Sequence, residues 1–315
     1  MMRYTSLKRR PRHLHSFTGL KVEEFDKLVQ EISGDWERQR RERLTKNNPH
    51  RKRKLGGGRK KVLSTLQDQL LLTLAWARTY PSYLVLEYLF GIDESSVCRT
   101  IQESLPLLQD RFVLQDPRKS ARKKITILEE LQKLLPEDIR IEEIIGDATE
   151  QAIPRPEKKR KRTTHHSGKK KRFTLKTQIA TNQEGYILHT SRASPGRVHD
   201  YKLFKNSPLP SLVPQDTPCY LDSGYQGVHK DFPDLQACIP FKRTRSHREL
   251  TRSEKIQNTK QRRVRVVVEH TISRLKKYQV LAQTYRHALH KYTPTFRFVA
   301  NIVNFRMLCR VPALV

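Results

Sequence analysis

Ile139-Arg140-Ile141-Glu142-Glu143-Ile144-Ile145-Gly146-Asp147-Ala148-Thr149-Glu150 is the stretch that decides the fold. Its isoleucines are branched at Cβ and suit a pleated, buried strand. The apolar run stops at Gly146, so Asp147 is expected at the end of that strand. In sheets with helices on their faces, strand ends are where ligands bind. Two further strands are expected at 173–180 and 185–190, joined by a turn at Asn182-Gln183-Glu184. A fourth, at 219–221, runs into Asp222-Ser223-Gly224-Tyr225-Gln226-Gly227, whose glycines permit a sharp turn beside the carboxylate. Asp147 and Asp222 are therefore expected on adjacent strand ends of an α/β domain.

A third acid follows from scarcity. Residues 241–315 carry 18 Lys and Arg but only Glu249, Glu254 and Glu269. The first two fall in a polar, basic stretch. Glu269 falls on a helix whose apolar stripe is Val264, Val268, Ile272 and Leu275, and it borders that stripe beside Arg265, Ser273 and Lys276. Taken singly, each of the three acids reads equally well as a surface carboxylate or a cap. Together, two strand-end aspartates and a helical glutamate suit phosphoryl transfer with two Mg²⁺ or Mn²⁺ ions about 4 Å apart. Asp200, in His199-Asp200 after Gly196, competes with Asp222 as the second ligand and is expected to be an accessory acid.

Upstream the pattern is helical. Leu66, Leu70, Leu74 and Ala77 recur at three- and four-residue steps behind Ser64 as the expected cap, and Pro81 ends the run. A short helix at 83–90, a turn at Gly91-Ile92 and a helix capped by Asp93 complete the spacing of a helix-turn-helix. Val97 and Ile101 then pack inward. Glu94, Ser95, Ser96, Arg99 and Thr100 face the major groove. The expected domains are a basic N-terminal arm at 1–62, the helix-turn-helix at 63–120 and the α/β domain at 139–309. Gly56-Gly57-Gly58, flanked by Arg51-Lys52-Arg53-Lys54 and Arg59-Lys60-Lys61, reads as a flexible joint touching DNA backbone.

Charge narrows the function. Of the 315 residues, 63 are Lys or Arg and 32 Asp or Glu, a net charge of +31, which points to a polyanionic partner. Double-stranded DNA fits this better than a membrane surface, because no amphipathic anchor accompanies the charge. The charge is also divided: residues 1–62, 151–200 and 241–315 are strongly basic, whereas 63–150 and 201–240 are slightly acidic. A coat protein has no use for acidic islands; an enzyme that cuts DNA has one, since carboxylates hold cations at the reacting phosphate. Hydrophobic residues, at 36%, still suffice for a core. The longest nearly apolar run, 70–77, is too short to span a bilayer. The first 17 residues lack the apolar segment of a secretory signal, and the four cysteines are too scattered for a disulfide framework. A cytoplasmic, nucleoid-associated location is expected. Five histidines near these motifs, His165, His166, His199, His229 and His270, match no zinc spacing. The runs 158–162 and 169–172 look like nuclear-import signals, and basic strands lining a DNA channel explain them equally well.

These motifs are similar, in order, to those of DDE transposases of small bacterial insertion sequences, related to Harbinger-type DDE endonucleases. The likeness runs from about Phe17 to Leu308 and includes Glu24-Phe25, the triple-glycine joint, the helix-turn-helix and Asp147-Ala148-Thr149-Glu150. It continues through Ser167-Gly168-Lys169-Lys170-Lys171, Gly196-Arg197-Val198-His199-Asp200, Asp222-Ser223-Gly224-Tyr225 and Glu269 ahead of Arg274-Leu275-Lys276-Lys277-Tyr278. Phe173 stands where such proteins often have His, and His166 where they often have Tyr. The resemblance implies an RNase H-like core with Asp147, Asp222 and Glu269 as metal ligands, and a transposase that cleaves insertion-sequence ends and joins them to target DNA. Ser95, Ser96, Arg99, Lys169, Lys170, Lys171, Arg265, Arg274, Lys276 and Lys277 are the expected DNA contacts. Synapsis of two ends implies a homo-oligomer on DNA. The alternative is an inactive or domesticated copy acting as a DNA-binding regulator.

Overall fold

The computed structural model describes residues 1–46, 61–108, 111–112, 132–133, 135–137, 139–243 and 248–310. The chain forms two compact units. One comprises Met1–Arg111 with Tyr278–Val280, the other Phe112–Lys277 with Leu281–Val311.

The first unit is helical: α1 (Tyr4–Lys8), α2 (Pro11–Thr18), α3 (Val22–Lys46), α4 (Leu66–Thr79), α5 (Tyr83–Phe90) and α6 (Glu94–Ser104). The helix α4 is buried on nearly every side, which its continuous Leu70-Leu71-Leu72 run anticipates. Its cap is Thr65, whose hydroxyl accepts from Asp68 N, one residue later than the expected Ser64. It ends where Tyr80 turns left-handed ahead of Pro81. Ser82 caps α5, and Asp93 caps α6 by accepting from Ser96 N. Between them Gly91, at φ +66°, makes the turn that a side chain would strain. Val97 and Ile101 face inward as the spacing predicts.

The first 46 residues are not an extended arm. Leu14, Phe25, Leu28 and Ile32 are fully buried, and Phe25 stacks on Tyr4 at 4.5 Å between ring centres. Amphipathic spacing within an otherwise basic stretch lets these helices join the packed unit. The triple-glycine joint lies outside the described residues.

The second unit is a mixed sheet flanked by helices, an α/β RNase H-like core. Its strands are β1 (Ile144–Ala152), β2 (His166–Ser167), β3 (Arg172–Thr181), β4 (Ile187–Thr190), β5 (Ser194–Pro195), β6 (Cys219–Tyr220) and β7 (Ala237–Cys238). The order is β2-β3-β1-β6-β7, with β4 and β5 also paired to β3. The first strand does not stop at Asp147. An antiparallel ladder from Ile145↔Thr181 to Ala152↔Thr174 carries it straight through Gly-Asp-Ala-Thr. Cross-strand pairing outweighs the poor strand propensity of those residues. Ile139 and Ile141 lie ahead of the strand, in a core cluster with Tyr186, Phe204 and Tyr225.

Helices α7 (Lys159–His165), α8 (Asp200–Asn206), α9 (Arg252–Lys276) and α10 (Tyr292–Leu308) complete the framework. The run at 158–162 is thus largely helix rather than strand, in keeping with the good helix propensity of Lys and Arg. The long α9 starts with a capping box between Thr251 and Glu254 and packs on β1 through Val268 and Leu275. In α10, Asn304 serves as a strand partner for β4: its Oδ1 accepts from Ile187 N at 2.8 Å and its Nδ2 donates to Ile187 O at 2.8 Å. Among the described residues, no helix is long and apolar enough to cross a membrane.

Asn304 is fully buried, so Asn304→Ala strands two backbone groups of β4 without partners. The expected loss is about 2–4 kcal/mol in urea unfolding, and Asn304→Asp should be no better, because it keeps the acceptor but loses the donor.

Candidate active site

The parallel pairs are Ile144↔Cys219 and Ile145↔Tyr220; Asp147 and Asp222 each lie two residues beyond the second pair, and the charge of Asp222 reaches Asp147. Gly146 permits the approach: a Cβ there would lie 2.7 Å from Leu221 Cδ2. Asp222 ends β6 by starting a tight turn, Ser223–Tyr225, whose Tyr225 is fully buried and accepts at its hydroxyl from Gln178 Nε2 at 3.1 Å. That turn also approaches Asp200, the first residue of α8: a Cβ on Gly224 would lie 3.8 Å from Asp200 Oδ2.

The three aspartates share one electrostatic neighbourhood. Burial pushes the Asp147 carboxyl up to about 6, and the nearby charges of Asp222 and Asp200 push the same way. The Ala148 N–H, donated to Asp147 Oδ1 at 2.7 Å, and the Arg265 guanidinium oppose them. Burial, with the same three carboxylates behind it, also holds the Tyr225 phenol well above its ordinary range.

Two cations balance these acids. Arg265 reaches from α9 to within 3.1 Å of Asp222 Oδ1. Lys176, buried in β3, sits 2.7 Å from Asp200 Oδ1 and 3.4 Å from Glu150 Oε1, and donates to Val198 O at 2.8 Å. Sequence reasoning missed Lys176, Glu150 and Gln178 as parts of this site. The signal was present: Thr174, Lys176 and Gln178 alternate along a strand buried over most of its length, a polar face that needs partners.

Glu269 is placed differently. It is exposed on α9, one turn beyond Arg265 and on the same flank. Among the described residues, no group of three or more His, Cys, Asp or Glu side chains is gathered to hold a metal ion. Asp222 and Asp200 lie within electrostatic reach of Asp147, and Glu269 stands exposed on α9. Hard oxygen donors, a carboxyl whose ionisation is opposed and a guanidinium supplying the counter-charge are a donor set that fits a divalent cation. The five histidines play other parts; His199 caps α8 and His166 meets the edge of the Phe173 ring.

Of the expected DNA contacts, Lys169, Lys170 and Lys171 are exposed in the turn ahead of β3. The Lys276 ammonium is held below its usual range by burial and by Lys170, against the pull of Asp147 and Glu150. Lys170 and Lys276 thus belong to the acids' surroundings. Arg274 lies halfway round α9 from Arg265, with Nη1 3.4 Å from Met307 Sδ. Lys277 is exposed just beyond the helix. In the helical unit, Ser95, Arg99 and Gln102 line the exposed face of α6, and Arg99 Nη2 donates to Ser95 Oγ at 2.9 Å. Ser96 Oγ donates to the Asp93 carboxylate at 2.7 Å.

Comparison with known proteins agrees with this arrangement. A family described as DDE superfamily endonuclease matches residues 146–305, and one described as helix-turn-helix of DDE superfamily endonuclease matches residues 61–114. The chain belongs to the DDE superfamily. It is 30% identical over 259 residues to a probable transposase for insertion sequence element IS702 of Microchaete diplosiphon, covering 82% of this chain and 86% of the relative. No solved structure matches the chain significantly. Unit by unit, the DDE endonuclease match falls on the sheet that carries Asp147 and Asp222, and the helix-turn-helix match on α4 to α6. The DDE chain thus pairs a DNA-binding helical unit with a nuclease core of a family that works with divalent cations.

Because the folded protein raises the Asp147 carboxyl from 3.8 to about 6, ionising it costs stability as pH climbs through that interval. The cost is absent below about pH 4 and complete above about pH 6. In EDTA, Asp147→Asn should therefore be more stable than the parent at pH 8, by at most ~3 kcal/mol, and equal to it at pH 4. Urea unfolding at the two pH values checks this; a gain of the same size at both would exclude ionisation as its source.

Proposed function

We propose that the protein is a transposase: the helical unit binds the ends of an insertion sequence, and the sheet cleaves a DNA strand and joins the freed 3′-hydroxyl to target DNA. The observation that carries the reading is that Asp222, just beyond the strand parallel to β1, lies within electrostatic reach of Asp147 inside a basic protein of the DDE superfamily. Asp147, Asp222 and Glu269 would hold two Mg²⁺ or Mn²⁺ ions, Glu269 closing on the site from the rim of α9. When bound, such ions supply activation of the attacking water or 3′-hydroxyl and stabilisation of the leaving oxygen.

The chain's own groups do the rest. Asp147 is only half ionised at about pH 6, so cation binding is favoured as pH rises toward neutral. Lys176 neutralises Asp200, which keeps that acid as a support beneath the site rather than a ligand. Lys169, Lys170, Lys171, Arg265, Lys276 and Lys277 hold phosphates of the strand; Arg274, turned toward Met307, is left out of that set. Ser95, Ser96 and Arg99 read base edges from α6. Bringing two ends together calls for a dimer or larger assembly on DNA, in the nucleoid of the cell.

Plasmid nicking in Mn²⁺ tests the enzymatic part. Asp147→Asn, Asp222→Asn and Glu269→Gln should each lower nicking at least a hundredfold with affinity for duplex DNA retained, and EDTA should abolish it. Asp200→Asn should cost less than Asp222→Asn; the reverse order would exchange their roles. Unchanged nicking in Glu269→Gln would remove that residue from the site, and no nicking by the parent would leave the regulator reading.

Arg99 gives a separate test of the helical unit. Arg99→Ala should reduce the preference for element ends over random duplex by about 1–3 kcal/mol while random binding changes little. Equal losses on both duplexes would take sequence reading away from α6.

A further inference from the structure

Two basic side chains balance the aspartates, and their environments differ. Lys176 is saturated: two carboxylates and a backbone carbonyl surround a buried ammonium on a sheet strand. Arg265 is not. Its side chain is 12% exposed, yet among the described residues it meets one carboxylate through one nitrogen, and its buried Nε has no acceptor there. A guanidinium has five donors in a planar fork suited to paired oxygens, and a buried donor left without an acceptor is costly. The Asp222 side chain, at 36% exposed, is the open partner of the pair. A cation arriving from solvent therefore meets Asp222 first, while Arg265 stays held by α9 with donors to spare.

We propose that Arg265 is an exchangeable counter-cation: it holds Asp222 in the DNA-free protein, yields it to a divalent cation, and turns its fork to a non-bridging phosphate oxygen of the bound strand. Lys176 is the fixed counter-charge and Arg265 the movable one. In free protein the guanidinium competes with the cation for the same oxygens, so the site fills weakly. On DNA the phosphate supplies the acceptors that Arg265 lacks, and the competition ends. Cation and DNA thereby favour each other's binding, and the aspartates are not loaded away from a substrate. The inference rests on the reading that Asp147 and Asp222 hold a divalent cation.

The test measures Mn²⁺ binding to the full chain without DNA, from the electron paramagnetic resonance signal of free Mn²⁺, for the parent, Arg265→Gln, Arg265→Lys and Asp222→Asn. An opposite charge at this range shifts ionic equilibria by one to three powers of ten, so Arg265→Gln is expected to bind Mn²⁺ on the order of tenfold tighter. Arg265→Lys, which keeps the charge, should stay near the parent. A far-ultraviolet circular dichroism spectrum and a urea midpoint like the parent's show that a variant is folded; Arg265→Met, with a similar unbranched stem, replaces Gln if that variant is not. If Asp222→Asn loses Mn²⁺ while Arg265→Gln binds it no tighter than the parent, the exchange is wrong and the metal site stands. If Asp222→Asn binds Mn²⁺ as the parent does, the underlying reading fails, and the exchange with it.

Discussion

Two parallel backbone pairings, Ile144 with Cys219 and Ile145 with Tyr220, lead two residues on to Asp147 and Asp222, whose charges feel each other, and much of the second unit answers to that. Like charges so placed oppose each other's ionisation. The neighbouring sequence meets this cost locally. Gly146 lets Leu221 come close, Gly227 takes the left-handed conformation after the turn at Asp222, and Arg265 and Lys176 supply positive charge from the helix on one side and the strand on the other.

The framework around them is stiff where the site needs it. The antiparallel ladder between β1 and β3 fixes Asp147 by backbone bonds on both sides of it, and α9 lies against the same strand. Asn304 closes the far edge by pairing β4, so the sheet does not rely on an open strand edge there. Asp222, by contrast, stands at the mouth of a turn, and Glu269 on an exposed helical face. The proposed metal-holding set therefore runs from a rigid member through a less rigid one to one at the rim.

Much of this was legible in the sequence, and the misses have physical causes. Period-two and period-3.6 patterns located the β3 strand, the α5 and α6 helices and the turn at Asn182, because each carries its own capping or turn residues. Asp147 was expected at a strand end because Gly-Asp-Ala-Thr has poor strand propensity; the partner that overrides it begins 20 residues later in the chain, where a local pattern cannot see it. The basic helix α7 was taken as strand because charge was read before propensity. Lys176 went unnoticed for a related reason. A lysine in a strand reads as an exposed residue until the acids that meet it, Glu150 before and Asp200 after, are known to share its surroundings.

The division of charge along the chain also has a structural meaning. The segment holding α4 to α6 is slightly acidic, yet it carries the helix-turn-helix. Its exposed reading face offers serines, an arginine and a glutamine, which suit base edges better than phosphates. Non-specific attraction must then come from the basic stretches elsewhere. A separation of this kind keeps sequence preference from being swamped by backbone affinity, because phosphate contacts add equally to every site while base contacts do not. At the nuclease core Lys276 lies within electrostatic reach of Asp147, and Lys170 within reach of Lys276. Among the described residues, Arg265 and Lys176 are the cations in ion pairs with Asp222 and Asp200, and of those two Arg265 has a buried donor left without an acceptor.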